Sequence, residues 1–273
     1  MSNNTTRRGF IGLGSTAIAA GAFGLLQRAG AQTPPAQPAA APPSSDLKWE
    51  PPPGLKAEDV RAIVGAAHRD IDKVRELLDA QPSLVNSTWD WGTGDYESPL
   101  GAAGHTGQVE IAELVLSRGA RVELHAATML GWLDLVKAAV AARPGAENIL
   151  GPHAIPMHSH ALAGGDQAKA VLEYLESLNA LRQVMLSDEE RPKYVGRYKT
   201  DGGVLTVYNA NRRLLLQPPE RRAWYMLHQG DGLFLPADNV KVKITFEMNA
   251  DGTQARAMNI DEGDDQAVAV RVE

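Results

Sequence analysis

The hydrophobic period of this chain changes once, near Leu186, and that change limits the folds open to it. Before that point apolar residues recur at three- and four-residue spacing, as in Ile111, Leu114 and Val115, or Val136, Ala139 and Val140. Such stripes mark amphipathic helices. Beyond it the pattern alternates. Val240-Lys241-Val242-Lys243-Ile244-Thr245-Phe246-Glu247-Met248 turns every second side chain to one face, as a half-buried strand does. A helical part, residues 55–186, and a β part, residues 187–273, are predicted. They join at Ser187-Asp188-Glu189-Glu190.

The first 31 residues read as an address. A polar start ends in Arg7-Arg8-Gly9-Phe10-Ile11, a glycine-diluted apolar stretch runs to Leu26, and Ala29-Gly30-Ala31 offers a small-residue cleavage site. Paired arginines before Phe-Ile resemble the twin-arginine signal. The resemblance implies export after folding into the bacterial periplasm, with no stable membrane insertion once the signal is cleaved. Residues 32–54 are mostly Pro, Ala, Ser and Gln, a composition that builds a spacer and no core.

Charge and cysteine usage exclude several classes. The signal segment holds Arg7, Arg8 and Arg28 and no acid, which leaves 24 basic against 33 acidic residues beyond it, a net charge of −9. Phosphate backbones are repelled by that excess, so no nucleic acid partner is expected. The absence of cysteine excludes disulfides and thiolate metal sites.

Within the helical part three segments align. They are Pro99-Leu100-Gly101-Ala102-Ala103-Gly104-His105-Thr106-Gly107, Leu124-His125-Ala126-Ala127-Thr128-Met129-Leu130-Gly131 and Pro156-Met157-His158-Ser159-His160-Ala161-Leu162-Ala163-Gly164. A weaker unit spans Ile63–Leu78. Each of the three aligned segments resembles the first helix of an ankyrin repeat, T-P-L-H-x-A-A with a following turn glycine. The steps are irregular, 24 residues from Leu100 to Leu124 and 33 from Leu124 to Met157. The expected fold is a multidomain α + β chain, an ankyrin-type α-solenoid followed by a small antiparallel β-barrel or curved sheet. In the ankyrin family the concave face binds another protein.

Trp89, Trp91, Tyr96 and Glu97 fall in one long finger, Ser87–Ser98, and with His105 they form the expected contact surface for a protein partner. His125 and His158 occupy the ankyrin histidine column, which implies a structural bond to turn backbone. His153, His158 and His160 are close in sequence, but two residues on a helix diverge by roughly 200°. No metal ligands and no cofactor are therefore expected. Catalytic residues are not assigned either, because no glycine–serine nucleophile elbow, H-E-x-x-H or phosphate loop occurs beyond the signal segment.

Eight short strands are predicted between Tyr194 and Val272. Tyr194-Val195-Gly196-Arg197-Tyr198 and the pair Val242–Met248 with Gln254–Ile260 resemble the small β domain that follows serine β-lactamase-like hydrolase domains. The hydrolase domain is absent, so its activity does not carry over. Trp224, Tyr225, His228, Phe234 and Phe246 are candidate lining residues of a barrel pocket. The function expected from the sequence is that of an exported protein-binding scaffold. Alternatives are a small-ligand binder acting through the barrel, or an enzyme with His105, His125 and finger carboxylates in one cleft.

Overall fold

The structure, a computed structural model, describes residues 50–272 except Thr93. The expected signal segment and most of the spacer lie outside these residues. Residues 53–273 form one compact unit. No helix among the described residues is long and apolar enough to cross a membrane.

Eight short helices come first: α1 (Ala57–Ala66), α2 (Ile71–Ala80), α3 (Pro99–Thr106), α4 (Val109–Ser117), α5 (Leu124–Met129), α6 (Leu133–Ala142), α7 (Met157–Gly164) and α8 (Lys169–Ser177). Their starts follow from capping chemistry. Asp70 accepts from the Lys73 amide at 2.9 Å before α2, and Ser98 accepts from the Gly101 amide at 2.8 Å before α3. Pro99 fills the first position of α3, where an N–H is not needed. Gly107 ends α3 with φ of 71°, and a Cβ there would clash with the Ala163 carbonyl.

The expected ankyrin-type solenoid is not what these helices build. They are only six to ten residues long, broken by 3-10 turns at Pro82–Asn86, Ala146–Asn148, Pro152–Ala154 and Gly165–Ala168. In a solenoid each repeat touches its neighbours alone. Here α3 packs on α7 as well as on α1 and α5, so the helices gather around α3 instead of extending in a line. Nor is the arrangement multidomain, since the β part belongs to the same compact unit.

Between α2 and α3 the finger forms a two-stranded ribbon, β1 (Trp89–Asp90) and β2 (Tyr96–Glu97), with Trp89 opposite Glu97. Asp90 Oδ1 accepts from the amides of Gly92 and Gly94 and so closes the turn.

A single helical turn, α9 (Arg191–Tyr194), leads into a closed antiparallel barrel of eight strands. These are β3 (Gly196–Thr200), β4 (Gly203–Ala210), β5 (Arg213–Gln217), β6 (Trp224–Gly230), β7 (Leu233–Pro236), β8 (Lys243–Met248), β9 (Ala255–Glu262) and β10 (Asp265–Arg271), with β10 closing on β3. Strand β8 begins later than the alternation predicts, because Asn239 takes the amides of Lys241 and Val242 into a turn. An eight-stranded barrel has room for little beyond its own side chains. Tyr198, Val207, Leu214, Met226, Phe234, Ile244 and Met258 fill this one.

The barrel docks on the helical part through a small apolar seam in which Leu150 and Leu181 meet Leu227 and Leu235. Gln229 adds a reciprocal pair of bonds to the backbone of Arg182, at 3.1 and 2.7 Å. Val184 donates to the carbonyl of His228 at 2.8 Å.

Candidate metal centre

Strand alternation aims the two residues of β2 in opposite directions. Tyr96 faces solvent at 63% exposure, and Glu97 is buried at 1%. The Glu97 carboxylate lies among three imidazoles. Its Oε1 is 2.8 Å from His105 Nε2 and 3.4 Å from His153 Nε2, and its Oε2 is 3.5 Å from His68 Nε2. Two of the imidazoles also face each other, His105 Nε2 and His68 Nε2 standing 3.2 Å apart. One ligand atom from each of the four residues lies within 4.8 Å of all the others.

Each histidine arrives by a different local route. His68 follows the end of α1, and its Nδ1 donates to the Val64 carbonyl at 2.9 Å. His105 sits in the last turn of α3. His153 is carried by the turn Pro152–Ala154 with φ of 57°, and Ala154 follows at 53°. Left-handed backbone is tolerable for histidine and costly for alanine. The turn is held from both sides. Asp95 accepts from the His153 amide at 2.7 Å and from Nδ1 at 2.8 Å, while Arg213 of β5 donates to the carbonyls of His153 at 2.5 Å and Ala154 at 3.3 Å.

These outer bonds decide what the imidazoles offer. With Nδ1 protonated toward Val64 or Asp95, the Nε2 atoms of neutral His68 and His153 present lone pairs to the centre. A histidine whose second nitrogen donates to a carboxylate or carbonyl is the usual arrangement of a metal ligand. Trp91 completes the surroundings by donating Nε1–H to Glu97 Oε2 at 2.7 Å. Its ring lies edge-on to His68, with centroids 6.1 Å apart.

Burial pushes the Glu97 pKa up, but bonds to His105 and His153 and their charge outweigh it and bring the group down to about 2. His153 is raised, chiefly by Glu97 and further by Asp95, against the opposing effect of burial. Glu97 is thus an anionic donor over the whole physiological range. Its Oε1 is fully buried, and the approaches of His105 and His153 to it are too poorly directed to satisfy it. A buried acceptor served so poorly by the side chains around it suits a cation held between them.

The fit to an ion is close. A four-coordinate ion with bonds of about 2.0–2.2 Å separates its ligands by about 3.3–3.6 Å. The separations of 3.2, 3.4 and 3.5 Å fall near that range; the 2.8 Å approach of His105 needs to open, and the remaining pairs, all within 4.8 Å, close onto the ion.

The sequence-predicted residues fall into separate places. Trp89 packs inward against the helical core, with Arg61 over its ring at 5.8 Å. Trp91, Glu97 and His105 belong to the centre, while Tyr96 points away. His125 Nε2 bonds the Ile149 carbonyl at 3.0 Å, and His158 approaches Glu176 at 3.4 Å. His160 bonds the Pro156 carbonyl at 3.1 Å and lies 4.9 Å from the His125 ring. Of the three neighbouring histidines weighed as ligands, only His153 reaches the centre. Its partners His68 and His105 are distant in sequence, and no spacing motif joins them.

The candidate barrel pocket also divides. His228, Phe234 and Phe246 pack together inside the barrel, with His228 stacked on Phe234 at 4.7 Å and Phe246 edge-on to it at 5.5 Å. The space left beside His228 and Phe234 is about 10 Å³, about one water at most. Trp224 and Tyr225 instead line an outer cleft of about 410 Å³ between barrel and finger, with Trp91, Asp95 and Ala154 on its other wall.

No protein-family model matches the chain, and no curated protein matches it significantly.

Proposed function

We propose that this protein binds one divalent transition-metal ion through the Nε2 atoms of His68, His105 and His153 and the carboxylate of Glu97. The carrying observation is the convergence of three imidazoles on the buried carboxylate of Glu97, whose Oε1 has no well-directed hydrogen bond. Imidazole-rich donors with one carboxylate suit Zn²⁺ and its neighbours better than Ca²⁺ or Mg²⁺, which prefer all-oxygen sites. Zn²⁺ matches four such ligands best. The twin-arginine-like leader supports the reading, because that route carries folded proteins, including ones already loaded with a cofactor.

The test is a zinc titration of untagged, chelator-stripped protein, with metal content measured independently. One ion per chain is expected. His105→Ala and Glu97→Gln should weaken binding by 100-fold or more, about 3 kcal/mol, while the far-ultraviolet circular dichroism stays unchanged. Non-stoichiometric binding, or equal affinity in a folded double variant, removes the proposal.

A protein-binding role for the finger is a second reading. It is favoured by Tyr96, whose ring stands 63% exposed at the tip of the ribbon. This reading keeps the exported interaction protein but places its contact on the outer face of β2. Partner capture by the wild type and its loss in Tyr96→Ala, with zinc binding intact, would separate it from the first.

A further inference from the structure

From the bonds of one buried arginine we infer that the barrel completes the metal centre: Arg213 is a positioning residue that holds the left-handed His153–Ala154 turn so that His153 meets Glu97. The inference rests on the metal reading above and adds an element the four ligands do not contain. Arg213 begins β5 and is 9% exposed. Its guanidinium lies over the Tyr225 ring at 4.0 Å and also approaches Gln183 Oε1 at 3.3 Å. Two of its nitrogens are spent on consecutive carbonyls of a turn from the helical part, those of His153 and Ala154.

Those two carbonyls belong to residues with φ of 57° and 53°. Consecutive left-handed residues without glycine persist only where the surroundings over-determine them. The other constraints are the Asp95 bonds on the opposite side, the bond from the Gly151 amide to the Ile155 carbonyl at 2.9 Å and that from the Ile155 amide to the Pro152 carbonyl at 3.1 Å. They close the turn locally but do not anchor it to the barrel. Arg213 does, and its planar fork matches two carbonyls as a lysine cannot. Released from it, the turn loses its hold on the strained geometry, and His153 Nε2 moves off the point shared with His68, His105 and Glu97.

The experiment compares zinc affinity in the full chain, by competition with a chromophoric chelator, for wild type, Arg213→Gln, Arg213→Lys and Arg213→Gln with Ala154→Gly. Arg213→Gln should bind zinc about 10–100-fold more weakly, the usual loss when an outer-shell partner is removed, with an unchanged circular dichroism spectrum. Arg213→Lys should fall between. Adding Ala154→Gly should recover part of the loss, because glycine adopts positive φ without strain. A purely structural role for Arg213 predicts no such recovery.

Zinc affinity of a folded Arg213→Gln within about twofold of wild type would overturn the inference while leaving the metal reading intact. Should Arg213→Gln fail to fold, Arg213→Lys carries the test, and wild-type affinity there overturns it. A wild type that binds no zinc sinks the metal reading instead. In that case amide exchange at His153 decides the positioning role. Exchange about tenfold faster in the variant, reporting local opening, supports it, and equal exchange overturns it.

Discussion

The indole of Trp91 donates to the buried carboxylate of Glu97 at 2.7 Å, from the opposite arm of the finger. Trp91 is still 39% exposed, so one face of its ring meets solvent while its polar edge is committed inward. The bond leaves Oε1 of Glu97 to His105 and His153 and restrains the carboxylate from turning. It also makes the finger part of the centre, because Asp95, between the two, holds His153. In space Trp91 and Asp95 of this aromatic finger are also the outer support of the Glu97–histidine cluster.

Trp91→Phe tests that support. An aromatic ring is kept, but the N–H and the five-membered ring that carries it are lost, so one oxygen of a buried carboxylate is released. Zinc affinity is expected to fall about tenfold, with the helical signal retained. Unchanged affinity in an isothermal titration would show that Glu97 is oriented by its backbone and the histidines alone.

Phe234→Ala tests whether the barrel interior is packing or pocket. Phe234 is fully buried and touches the rings of Tyr194, His228 and Phe246. Removing it should cost about 3–5 kcal/mol of unfolding free energy, read from urea denaturation. It should leave zinc affinity within a small factor of wild type, since the ring lies in the barrel core and touches none of the four ligands. A loss below 1 kcal/mol would mean that the interior is loosely filled and that a ligand takes up the space.

The eight barrel strands were legible because each carries its own local signals. Alternation shows which face of a strand is buried, and turn residues such as Asn249 and Gly252 mark where one strand ends. The helices were legible for the same reason, through their stripes. Their assembly was not. A stripe says that a helix has a buried face but not which helix covers it, and the packing of α7 on α3 leaves no periodic trace. The centre was legible in part. Trp91, Glu97 and His105 stand out as polar and aromatic residues in and beside a long finger, but as surface residues. Burial of Glu97 depends on the register of a two-residue strand, which hydropathy cannot resolve. His153 depends on positive φ at two non-glycine residues, a conformation that composition does not announce. His68 looks like any residue at a helix end.

Acid should weaken the fold well before the carboxylates of the surface are protonated, and His160 on α7 is the main reason. Burial pushes its pKa down to about 3, helped by the His125 charge, against a value near 6.5 in the unfolded chain. The groups facing it are His125, itself lowered by burial, with His105 and Glu97 farther off. Between pH 6.5 and 3 the unfolded chain therefore holds a proton that the folded chain does not. Stability falls as pH drops through that window, by about 1.4 kcal/mol per pH unit for one proton. Glu97, lowered to about 2, adds a loss in the same direction below pH 4.5. His153 opposes it, because its raised pKa favours the folded state in acid and that contribution disappears as pH rises above its folded value. Replacing His160 by methionine removes one of these protons. Urea unfolding of metal-free His160→Met at several pH values should give a slope shallower than wild type by about one proton between pH 6 and 4, with no change above pH 7.5. An identical slope would mean that His160 is reached by water or by a proton in the folded state, and that the acid sensitivity of the chain lies with His125, His158, His228 and Glu97.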